Sequence, residues 1–114
     1  MKINKPGILF KATIEDAGED YTMLILTPVA EKFKVMNGYD ASIDSEDSEM
    51  VSITIVYEED EERDQQLKQA AKDLIKIPNV KNEGFFDGNT QVNNINDSTE
   101  TRLLVPIKYF DIES

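Results

Sequence analysis

The sequence predicts a mainly β domain with one helix. Three observations predict it. Apolar residues alternate with period two in short runs such as "ILFKATI" and "MVSITIVY". A single segment, "QQLKQAAKDLIKIP", changes to helical period. Clusters of Gly, Asn, Asp and Pro separate the runs and read as turns. With 114 residues, the default is one domain spanning 1–114.

The elements follow in order. After Pro6-Gly7, Ile8, Phe10, Ala12 and Ile14 fall on one side of a strand, with Leu9, Lys11 and Thr13 on the other. "EDAGED" is a turn around Gly18. "YTMLILT" is a second strand, and its continuous apolar character predicts burial on both faces. Beyond Pro28, "KFKVM" alternates Lys32, Lys34 and Met36 against Phe33 and Val35, and Asn37-Gly38 is a tight-turn signal. Residues 40–49 are polar and acidic and read as a loop. "MVSITIVY" is the clearest strand, with Val51, Ile53, Ile55 and Tyr57 on one face. In the helical segment 65–76, Leu67, Ala70, Ala71, Leu74 and Ile75 form one apolar stripe. Lys68, Lys72 and Lys76 fall on its wet side, and Pro78 closes it. "NVKNEGFF" is a short strand with Gly84 as a bulge or close approach. Residues 87–101 read as a mobile polar loop, and "RLLVPIKYFDI" as a last strand that Pro106 confines to an edge or bulge.

This order is that of a five-stranded Greek-key OB-like barrel, whose helix joins the third and fourth strands. A small α+β sheet with one packed helix is the alternative.

Composition excludes much chemistry. The 39% hydrophobic fraction is enough for a core, and no apolar run reaches membrane-spanning length. The N-terminal residues show no secretory signal, so a cytoplasmic location is expected. There is no Cys and no His. A disulfide framework, a zinc–thiolate site, a thiol nucleophile and every Ser-His arrangement are therefore excluded. The expectation is no enzymatic activity, no cofactor and no metal.

The net charge of −11 is local. Residues 40–64 hold eleven acids against Arg63 alone, while the flanking segments are nearly neutral. A calcium loop beginning at Asp40 fails, because Ser45 stands where Gly is needed and Val51 where Glu is needed. A looser divalent site among Asp44, Glu46, Asp47 and Glu49 is a weaker option. A contiguous acidic run also suits carboxylate catalysis poorly, since such sites gather acids from separate elements. DNA mimicry requires acids spread over one face, which segments 44–49 and 58–64 could supply if they merged into a patch. The simplest account of "EEDEERD" at 58–64 is local. Acids at a helix N-terminus are favoured by its dipole, and Asp64 stands four residues before Lys68.

Several strings mix aromatic and basic residues: "LFK", "KFKVMNGY", "VKNEGFF" and "IKYF". Binding of single-stranded nucleic acid combines a cationic groove with aromatic platforms. The candidate contacts are Lys11, Lys32, Phe33, Lys34, Tyr39, Lys81, Phe85, Lys108 and Tyr109. The competing role for the aromatic members is the core. Length, strand–helix order, the lack of Cys and His, and the polar stretch before "IKYF" resemble phage- or plasmid-encoded OB-fold single-stranded DNA-binding proteins. The resemblance covers most of the chain at the level of layout. It implies sequence-independent binding of single-stranded DNA in replication or recombination, by a homo-oligomer (dimer or tetramer) in the host bacterial cytoplasm. Replication or recombination proteins are its implied further partners. An acidic DNA mimic that binds a DNA-binding protein or nuclease is one alternative, and a small phage structural or assembly protein another.

Overall fold

The computed structural model describes residues 7–16, 22–34 and 40–113. They form a mainly β structure with one α-helix, in a single eight-stranded sheet. The strands are β1 (Phe10–Asp16), β2 (Thr22–Pro28), β3 (Asp40–Ile43), β4 (Met50–Val56), β5 (Lys81–Asp87), β6 (Thr90–Val92), β7 (Glu100–Pro106) and β8 (Phe110–Glu113). Helix α1 (Glu61–Ile75) joins β4 to β5. The order across the sheet is β6-β5-β7-β4-β3-β2-β1-β8. Only the β1–β8 pair is parallel. Both β4 and β5 run antiparallel to β7, so α1 connects two parallel strands with β7 inserted between them.

The five-stranded OB-like barrel is therefore corrected. The sheet has eight strands and does not close, which leaves the α+β sheet with one packed helix. A strand–helix order is compatible with both topologies. The difference lies in which strands pair, and the insertion of one strand between two others leaves no mark in hydrophobic period.

Alternation places the core on one face. Val51, Ile53 and Ile55 of β4 pair across with Val105, Leu103 and Thr101 of β7, all buried. Ala41 and Leu24 continue that face through β3 and β2. Phe10 and Phe110 extend it to β1 and β8, their rings stacked 5.5 Å apart. Two pieces cover this inner face. Helix α1 contributes Leu67, Ala70, Ala71 and Leu74, each buried and part of the same core. A 3-10 turn at Glu31–Phe33 contributes Phe33, which is fully buried and stacks on Phe10 at 5.7 Å.

Several elements differ from the sequence reading. Lys32 and Phe33 do not belong to a strand, because Glu31–Phe33 coils into the 3-10 turn that drives Phe33 inward; Val35 and Met36 lie outside the described residues. The Asn37-Gly38 turn, Tyr39 and the turn around Gly18 lie outside the described residues. Residues 40–43 form β3 rather than loop. β2 is not buried on both faces, since Ile25 is 48% exposed. The helix begins at Glu61, one turn before the apolar stripe, and Ile75 is only partly buried. The polar stretch 87–101 builds β6 and a 3-10 turn at Ile95–Asp97, pinned by buried Ile95. The final strand divides at Pro106, which has no N–H for a ladder. A 3-10 turn at Ile107–Tyr109 then leads into β8. Gly84 sits at a bulge with φ of 139°, and a Cβ there would meet Gln91 and the Phe86 ring at 3.0 Å or less. This is the close approach the sequence predicts.

Candidate interaction surfaces

The acidic run is built into the start of α1. Asp60 is the N-cap, and its Oδ1 accepts from the Arg63 amide at 3.2 Å. Asp64 is buried, and its Oδ1 accepts from the Glu58 amide and from the Arg63 guanidinium, each at 3.1 Å. The expected Asp64–Lys68 pair does not form, because the backbone before the helix has already claimed Asp64. Glu61 and Glu62 occupy the first turn, where the dipole favours them. In the other acidic segment, Asp44 and Asp47 accept from backbone amides and shape the β3–β4 hairpin. The two segments flank β4 at opposite ends. Seven residues of strand separate them by about 23 Å, so they form two poles rather than one patch. Among the described residues, no group of three or more acids is arranged to hold a metal ion.

The candidate nucleic-acid contacts divide between the two faces of the sheet. Lys11 and Lys81 are exposed on β1 and β5, where register places them on the outer face with Thr27 and Leu104. Lys32, Lys34 and Lys108 are exposed on the 3-10 turns at the edge of the helical layer. Lys34 is paired with Glu31 at 2.9 Å. Phe33 cannot be a stacking platform, since its ring lies in the core against Phe10. Phe85 is half-buried and packs against the core beside Thr101, so it too is displaced from the ligand role. Its neighbour Phe86 takes the outer face, where its ring covers Gly84 and the Arg102 guanidinium sits 4.7 Å from its centroid. Tyr109 is half-buried, and its hydroxyl donates to the Pro78 carbonyl at 3.1 Å. No local sequence signal separates Phe86 from Phe85, because the choice follows from the pairing of Phe85 with buried Thr101 of β7.

Among the described residues, three surfaces could take a ligand. The largest is the outer face of the sheet, which no described element covers. It is rich in Ser and Thr: Thr13, Thr27, Ser42, Ser52 and Thr54 stand in adjacent register. Ile25, 48% exposed, and Val56, 44% exposed, are its most exposed apolar residues. Lys11, Lys81 and Arg102 share it with Asp40, Glu100 and Asp111. The second is a polar cleft of about 360 Å³ between α1 and the turn at Ile95–Asp97, lined by Gln65, Lys68, Gln69, Lys72 and Asn96. In the sequence, Lys68 and Lys72 read only as part of the solvated side of the helix. The third is an apolar notch of about 350 Å³ between Met50, Pro106 and Ile107, with Glu49 and Lys108 at its rim.

Tyr57 lies beneath the cleft. It is buried, shares a hydrogen bond of 2.8 Å with Thr101 Oγ1, and carries Lys68 Nζ 5.0 Å from its ring centroid. Burial pushes its phenol up to about 12, with Asp64 adding in the same direction and the Thr101 bond opposing.

The fold and these surfaces define a two-layer α+β protein with one sheet face that no described element covers. No protein-family model, curated protein or solved structure matches the chain. Among the described residues, no helix is long and apolar enough to cross a membrane.

Proposed function

We propose that the protein is a non-catalytic assembly protein that pairs with a second copy of itself through the outer face of its sheet. One observation carries this reading: a sheet of eight strands has a face that no described element covers, with Ile25 and Val56 standing out of it. Its strands hold 46 residues. At ~3.3 Å by ~4.8 Å per residue, that face spans roughly 700 Å². A standard interface buries about 800 Å² per partner, so the face is of the right size. Charges of both signs lie on it, and a two-fold axis can oppose them. The lack of His and Cys removes the imidazole base and the thiol nucleophile from any competing catalytic reading. Sedimentation of the wild-type chain should give a dimer. Ile25→Lys with Val56→Lys should give a folded monomer whose Tm no longer depends on protein concentration. A wild-type chain that stays monomeric at every concentration refutes the reading.

A second reading is sequence-independent binding of single-stranded DNA. The observation that favours it is the distribution of lysines. Lys32, Lys34, Lys68, Lys72, Lys76 and Lys108 all belong to the helical layer, on α1 and the short turns around it. With Phe33 and Phe85 turned into the core, binding there would rest mainly on phosphate contacts, with Tyr109 as the nearest aromatic. Removing Lys32 and Lys34 together should then flatten the salt slope by roughly 1.4, at about 0.7 per neutralised charge. A labelled oligonucleotide that shows no binding at low salt sinks this reading and leaves the first intact.

A further inference from the structure

We infer that the cleft between α1 and the turn at Ile95–Asp97 is a binding site for a phosphate monoester dianion. Two ammonium groups converge there on one residue. Lys68 Nζ donates to the Asn96 carbonyl at 2.9 Å, and Lys72 Nζ donates to Asn96 Oδ1 at 3.3 Å. Both lysines are partly buried, and among the described residues neither is in a salt bridge. Two ammonium groups brought to one residue give the cleft a local positive potential that favours an anion. Each ammonium spends one of its three N–H groups on Asn96 and keeps the others to donate. Gln65 and Gln69 line the same side of the cleft one turn apart, where spacing on α1 aligns them with Lys68 and Lys72. Gln69 Nε2 contacts Asp73 at 3.3 Å, which places that carboxylate beside the cleft rather than on the lysines. The lining is polar, about 360 Å³ in volume, and contains no acid.

Two ammonium groups match the charge of a phosphate monoester better than that of a diester or chloride. The site lies on the opposite layer from the proposed dimer face, so it stands whether or not the protein dimerises. Docking of the Ile95–Asp97 turn onto α1 is the competing role for the two lysines. Titration of isotope-labelled protein at constant ionic strength separates the roles, read at the side-chain amides of Gln65, Gln69 and Asn96. The probes are inorganic phosphate, a nucleoside 5′-monophosphate, a single-stranded oligonucleotide without a terminal phosphate, and chloride. Inorganic phosphate and the monophosphate should give saturable shifts. Lys72→Gln should weaken them by about 10- to 100-fold, the worth of one charge-assisted hydrogen bond. Lys72→Arg should restore much of the affinity, and Lys11→Gln on the outer face should change nothing. Shifts that chloride reproduces, or that only the oligonucleotide produces, overturn the inference. A Lys72→Gln variant that melts earlier while binding phosphate as well as wild type also overturns it, since the lysine would then serve the turn alone.

Discussion

Replacing Phe33 by alanine should cost about 3–5 kcal/mol, the usual range for a fully buried aromatic. The ring is completely buried and stacks on Phe10, which in turn stacks on Phe110, so its removal opens a hole at one end of a stack of three rings. Unfolding entropy of ~2.1 cal/mol/K per residue gives this chain about 0.24 kcal/mol/K. Each kcal/mol then lowers Tm by roughly 4 °C, and the substitution should lower it by roughly 12–20 °C. Differential scanning calorimetry reads the shift directly. The adjacent Lys32→Ala is the control, because Lys32 is exposed and its loss should move Tm little. A Phe33→Ala protein that melts with wild type, yet loses affinity for single-stranded DNA, would put the ring on the surface. It would refute the reasoning that closes the inner face with the 3-10 turn.

Leu74→Asp places a charge among fully buried neighbours and should abolish cooperative unfolding or cost more than about 4 kcal/mol, as chemical denaturation would show. Asp60→Ala removes the helix N-cap and should cost about 1 kcal/mol in the same assay; a neutral result would mean that the acidic run does not serve the helix. Tyr57 governs stability at alkaline pH. Its folded pKa of about 12 lies above the ordinary 10.0, so its contribution is fully present below pH 10 and is lost as pH rises through 12. The loss should reach about 2–3 kcal/mol over that interval. The difference in unfolding free energy between wild type and Tyr57→Phe should shrink accordingly, and parallel curves would contradict the assignment.

What the sequence discloses here is what local period encodes. The alternation of Val51, Ile53, Ile55 and Tyr57 names the buried face of β4, and the spacing of Leu67, Ala70, Ala71 and Leu74 names the buried stripe of α1. Gly84 announces its bulge because no other residue fits there. The acidic run reads as a helix start, and Asp60 is the residue that caps it. Pairing is not local, so the insertion of β7 between β4 and β5 is invisible in any window, and with it the open sheet. Short windows also mislead. Over "KFK" at 32–34, a 3-10 turn that buries one ring gives the same pattern of lysines and aromatics as a strand. The polar composition of 87–101 hides β6, whose three residues are too few for a period signal. The cleft at Lys68 and Lys72 depends on Asn96, 24 or more residues distant in sequence, and nothing near either lysine points to it.

Covalent trapping tests the proposed dimer most directly, because the chain contains no cysteine and a single introduced thiol is unique. Thr54 lies near the middle of the outer face, between Asp40 and Arg102, whereas Gln69 is exposed on α1 in the opposite layer. Sheets packed face to face lie ~10 Å apart, within reach of a short bis-maleimide. Thr54→Cys should yield a cross-linked dimer in high proportion, Gln69→Cys should not, and Ile25→Lys added to Thr54→Cys should abolish the product. Efficient cross-linking from Gln69→Cys together with none from Thr54→Cys would contradict the account and move the interface to the helical layer.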